Sequence, residues 1–223
     1  MRFFSFDSPL MRFLNKLANI MMVNLCFVVC CLPVITVGAS VTAMYRCFLT
    51  MAKDGDISPF KLFFSSFKEN FKKATLLELC CLPAVAVVVV EVLAYMSGIV
   101  GNGGWTVVMY FLPFIIISCI LSYVFPLQAQ FENTVKGTIK NSFILALSHF
   151  PVTIIITALN LVFPALFCYR PDLLLRTLIL WLLLGFALVA YLNTSFLRRV
   201  FLFYFPEDED SGEAAEEAPS EEE

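Results

Sequence analysis

Two copies of the tetrapeptide Cys-Cys-Leu-Pro, at residues 30–33 and 80–83, set adjacent thiols where a metal site or a redox relay could use them. A structural metal site needs about four thiolate or imidazole ligands at characteristic spacings. The eight cysteines (Cys26, Cys30, Cys31, Cys47, Cys80, Cys81, Cys119, Cys168) include no Cys-x-x-Cys pair, and the single histidine, His149, gives no Cys/His ligand set. All eight lie in or beside apolar stretches, so they read as small apolar side chains, and no metal or cofactor is expected. Three ionisable residues, Glu78, Glu91 and His149, also fall inside apolar stretches, where a charge is costly and points to function. Each has a plainer reading: Glu78 and Glu91 as carboxylates near the two membrane interfaces, His149 as a buried structural group. No Ser/His/Asp set, phosphate-binding loop, dinucleotide turn or carboxylate pair sharing a pocket is visible, so no enzyme is expected.

The elements that must position these residues belong in a bilayer. The chain has 223 residues, 60% of them hydrophobic and 15% charged, with a mean hydropathy of +0.84. Soluble domains sit nearer half apolar and a quarter charged. Nearly uncharged stretches of about 20 residues recur, the length that crosses about 30 Å of hydrocarbon. An all-α, polytopic membrane bundle follows, and the amphipathic N-terminus does not read as a cleavable signal.

Charge fixes the expected topology. Of 18 acidic residues, ten lie between Glu207 and Glu223, so residues 1–206 carry 15 basic and 8 acidic side chains, a balance of +7. Basic residues beside apolar spans suit an anionic membrane surface, not nucleic acid. Apolar blocks run near residues 17–45, 74–97, 105–131, 143–168 and 173–197. The first is too long for one span and contains Pro33 and Gly38, so it divides into helices near 12–32 and 39–52. The division puts 13 basic residues on one side, with Arg170 and Arg176 on the other. Six helices with both termini cytoplasmic result, the second helix being short for a full span.

A shift of 50 residues lays Pro9 on Pro59, Phe13 on Phe63 and the first Cys-Cys-Leu-Pro on the second; a shift of 68 lays Lys68 on Lys136, Lys72 on Lys140 and Pro83 on Pro151. Three hairpins of similar design are expected, near 12–52, 74–125 and 142–199, each with a proline break at Pro33, Pro83 or Pro151. In the third the residues before the proline are Ser148-His149-Phe150, so the shared element is the proline and not the thiols.

The stretch from Leu32 to Ala39 (Leu-Pro-x-x-T-x-Gly-Ala), the Phe-x-x-x-Phe-Lys-x-Asn-Phe-Lys run from Phe63 to Lys72, and residues 125–151 resemble the YesL-like family of bacterial membrane proteins. The resemblance spans about residues 1–200. The family has no established activity. Its genes often neighbour those for carbohydrate uptake and glycan breakdown in Gram-positive bacteria, which implies an association with such systems and a plasma-membrane location.

Residues 58–72 carry Phe60, Phe63, Phe64, Phe67 and Phe71 at helical spacing, with Lys61, Lys68 and Lys72 around them. Ser58-Pro59 is a good helix start. This pattern predicts a separate helix in the cytoplasmic interface, anchoring to lipid or docking a partner. Asn24, Asn160 and Asn193 are expected to bond between helices, and the small residues at 38–43 to allow close packing. Residues 206–223 read as a disordered acidic tail after a membrane domain at 1–205. The function expected is a non-catalytic accessory or regulatory component of a carbohydrate transport system, with a small transporter or channel as the alternative. Expected partners are the bilayer, transporter subunits or a second copy.

Overall fold

The computed structural model describes residues 9–55, 58–98 and 104–204; the acidic tail lies outside them. The elements are α1 (Pro9–Cys30), a 3-10 turn (Val34–Thr36), α2 (Val37–Asp54), α3 (Pro59–Met96), α4 (Gly104–Gln130), α5 (Val135–Ser148), α6 (Phe150–Tyr169), α7 (Pro171–Leu180), a π-helical segment (Trp181–Gly185) and α8 (Phe186–Tyr204). No strand occurs among the described residues. Among the described residues, six helical stretches are long and apolar enough to cross a membrane. Their outward faces carry apolar side chains, Val90, Leu93, Leu112, Phe167 and Ile179 among them, as a bilayer solvent demands. Serine and threonine hydroxyls inside the helices bond back to the carbonyl four residues earlier, as Thr42 does to Gly38 and Ser142 to Thr138 (both 2.8 Å), which satisfies a polar group where no water is available.

The division of the first apolar block holds. α1 ends at Cys30, and α2 begins after the 3-10 turn. Pro83 does not act the same way: α3 is one helix of 38 residues that runs through it. The expected break at Pro83 is therefore corrected, and with it the separate helix at 58–72, which is the first part of α3. At Pro151 the chain does break. His149 closes α5 and opens α6, with Pro151 in the first turn, where a missing N–H costs nothing. The third hairpin, expected from residue 142, thus starts inside α5, a helix of its own.

The hairpins are staggered. The α1–α2 turn meets α3 near its middle: the Thr75 hydroxyl donates to the Ile35 carbonyl (3.5 Å), and Gly38 lies against Ala74 and Glu78. Residues 79–96, about 27 Å of helix, continue beyond that contact. α4 accompanies α3 along this extension, with Tyr95 against Phe111 (ring centroids 5.5 Å). The core lies on the other side of the contact, where Val23, Phe48, Phe63, Tyr123, Leu127, Ile156 and Leu197 are fully buried.

Candidate functional site

Three close approaches set the walls of the site. At Gly38 an added Cβ would stand 2.8 Å from the Ala74 carbonyl oxygen and 2.9 Å from Phe125, so glycine alone lets α2 touch both α3 and α4 there. At Gly185 a Cβ would lie 2.5 Å from the Trp181 ring, so the indole rests on bare backbone. The third approach is Asn24, fully buried on α1. A π-helical turn leaves backbone groups without their usual partners. The Asn24 amide nitrogen donates to the carbonyls of Trp181 (3.2 Å) and Leu182 (2.7 Å), and its oxygen accepts from the Ala187 N–H (2.8 Å). One side chain thereby satisfies the irregular segment and fixes where Trp181 and Phe186 point.

Between these elements lies a cavity of about 290 Å³, walled by α1, α2, α4, α6, the π segment and α8. Phe27, Phe163, Trp181 and Phe186 form an aromatic cluster with ring centroids 4.9 to 5.6 Å apart. Tyr45, Ser122 and Asn160 supply the polar part of the lining, and no lining residue is charged. These polar groups belong to a chain that crosses four helices. The Asn193 amide donates to the Tyr45 hydroxyl (3.3 Å) and to the Asn160 carbonyl oxygen (2.7 Å); the Asn160 amide donates to Ser122 (3.1 Å). Ser122 also lies 3.4 Å from the Thr157 hydroxyl. Asn24, Asn160 and Asn193 thus bond between helices as their sequence context predicts. Tyr45, Ser122, Trp181 and Gly185 were not singled out; nothing in the local sequence marks a Trp-x-x-x-Gly pair as a stacked contact.

The ionisable candidates stand elsewhere, at three different junctions. Glu78 Oε2 accepts from the Gly38 N–H (2.9 Å), one of the unpaired donors in the first turn of α2. The α2 N-cap, Thr36, makes no side-chain cap bond, so a carboxylate from another helix does that work and meets the positive end of the α2 dipole. His149 is the α5–α6 junction itself, with its ring 5.9 Å from Phe203 near the end of α8. Glu91 lies in the extension of α3, about 20 Å along the helix from Glu78, and its Oε2 is buried without a hydrogen-bond partner among the described residues.

The phenylalanines of α3 divide. Phe60, Phe63, Phe64, Phe67 and Phe71 form a ladder of ring contacts with centroids 4.8 to 6.4 Å apart. Phe63 is fully buried, and Phe64 and Phe67 pack on the same core; Phe60 is 58% exposed and Phe71 37%. Most of the ladder closes the bundle, so the five rings do not form one surface for lipid or a partner, while Lys68 and Lys72 stay exposed. Other cations at this end meet helix C-termini. Arg46 donates to the Ala129 carbonyl (3.2 Å) and Arg198 to that of Ala52, where positive charge complements the dipole. Lys16 lies 4.8 Å over the Tyr191 ring. Among the described residues no group of three or more His, Cys, Asp or Glu is placed to hold a metal.

Residues 20–92 match the model of a family described as a protein of unknown function, DUF624. The matched stretch covers α2, the second half of α1 and most of α3, including both Cys-Cys-Leu-Pro segments, Gly38 and Glu78. No curated protein matches, and no solved structure matches.

Proposed function

We propose that this multi-pass membrane protein is a non-catalytic accessory or regulatory component of a carbohydrate transport system in a bacterial plasma membrane. The observation that carries the reading is the use made of its polar groups. Most interior amide and hydroxyl bonds run between helices, and Glu78 caps a helix, so these groups chiefly hold the bundle together. The carbohydrate association rests on the resemblance to the YesL-like family alone. Both termini are proposed to face the cytoplasm, because Lys16 over Tyr191, Arg46 at the Ala129 carbonyl and Arg198 at the Ala52 carbonyl lie toward the end of the bundle where α2 and α8 finish. Quantitative pull-down from native membranes tests the role. Recovery of a transporter subunit in fixed ratio is expected; recovery of the chain alone, at every detergent strength, would sink it.

The cavity favours a second reading, a small transporter in its own right. Substrate-dependent flux into vesicles containing only this chain would favour that reading over the first.

A further inference from the structure

The cavity has no counterpart to a charged ligand, and an apolar cavity of about 150 Å³ already holds a benzene-sized molecule. At about 290 Å³ it fits a body of roughly two fused rings. One wall is the aromatic cluster of Phe163, Trp181 and Phe186, suited to a flat apolar face. The polar end holds unused capacity. The Tyr45 hydroxyl accepts from Asn193, which leaves its own proton to donate. The wall is also built rather than incidental. Trp181 is seated on Gly185, where any Cβ would collide with its ring, and the π segment that carries it is held by three hydrogen bonds with Asn24. Segments of π-helix cost stability and gather at functional sites.

We propose that this cavity binds a neutral small molecule with a flat apolar body of about two fused rings and one hydrogen-bonding end. The body lies against Trp181 and Phe186, and the polar end meets Tyr45, Ser122 and Asn160. A charged ligand would enter without a counter-charge, at a cost the bilayer makes prohibitive. A lipid acyl chain would leave the polar end unanswered. The inference stands whether the chain is an accessory subunit or a transporter, because it concerns occupancy and not transport.

The test uses the full chain in phosphatidylcholine nanodiscs with Trp105, 82% exposed, changed to Phe, so that emission reports Trp181. The probes are 1-naphthol and naphthalene, which differ by one hydroxyl. Saturable quenching is expected, with the hydroxylated probe bound about tenfold more tightly, the worth of one or two net hydrogen bonds. Asn160→Leu should remove most of that preference. Val41→Phe, which fills the cavity from α2, should abolish saturation while Tm stays within a few degrees. Linear, unsaturable quenching in the parent chain means partition into lipid and overturns the proposal. So does equal binding of both probes, or saturation that survives Val41→Phe. A co-purified phospholipid that neither probe displaces would also overturn it.

Discussion

The same four residues, Cys-Cys-Leu-Pro, end one helix and lie inside another. At residues 30–33 α1 stops, the chain turns, and α2 runs back. At residues 80–83 α3 continues for another three turns and more. Proline removes the same donor in both places, so the cause of the difference lies outside the tetrapeptide. Three residues after Pro33 stands Thr36, whose hydroxyl reaches the carbonyls of Cys30 and Pro33 and satisfies an orphan at the end of α1. Five residues after Pro33 stands Gly38, which lets α2 approach α3 and offers its N–H to Glu78. The corresponding positions after Pro83 are Ala86 and Val88. Neither offers a hydroxyl to a bare carbonyl nor permits a close turn. In hydrocarbon every freed backbone group costs several kcal/mol, so the helix that forfeits a single bond at Pro83 is the better solution. A proline proposes a break; the groups around it determine whether the break is affordable.

The largest test of this comparison is Gly38→Val. It drives a branched side chain into the Ala74 carbonyl and Phe125, and should cost about 3 kcal/mol, read as a fall in Tm in detergent. The same exchange already exists at Val88, so unchanged stability in Gly38→Val would remove Gly38 from the explanation.

Next is Glu78→Ala, which leaves the Gly38 N–H bare and should cost roughly 2 kcal/mol. Glu78→Gln keeps an acceptor and should recover about half. If Gln is as damaging as Ala, the carboxylate has work beyond capping, and the functional reading of Glu78 gains.

The two prolines should then separate. Pro83→Ala restores the bond to the Leu79 carbonyl and should stabilise by about 1–2 kcal/mol. Pro33→Ala should change stability by less than about 0.5 kcal/mol, because Thr36, Gly38 and Glu78 still hold the turn. Amide exchange across residues 30–36 measures it; slow, helix-like exchange there in Pro33→Ala would mean that proline alone makes the break.

The converse is the double change Ala86→Thr with Val88→Gly, which writes the first context into the second. Glycine weakens the helix by about 1 kcal/mol, and faster amide exchange at residues 79–88 is expected. Four thiols together should matter little. Replacing Cys30, Cys31, Cys80 and Cys81 by Ala should shift stability by less than about 1 kcal/mol and leave metal content at background. Bound metal in the parent chain, lost with unfolding in the variant, would reverse the reading of these residues as small apolar side chains.

How much was legible follows the range of the interactions. The hydropathy and charge of the chain establish an all-α membrane bundle and six long apolar helices, because a bilayer accepts few other solutions for such a sequence. The division at residues 32–39 was legible because two of its markers, a proline and a glycine, are local, although Glu78, which caps the returning helix, is not. The interhelical role of Asn24, Asn160 and Asn193 was legible because an amide in an apolar helix needs a partner, though not which partner. Tertiary structure alone decided that α3 passes through Pro83, that Phe63 faces the core and not the lipid, that α5 is separate, and that an irregular turn at Trp181–Gly185 walls a cavity. Those outcomes depend on groups far away in the chain: Glu78 is 40 residues from the N–H it caps, and Asn24 is 163 residues from Ala187. A local pattern states what a segment needs; only the folded bundle states which distant group supplies it.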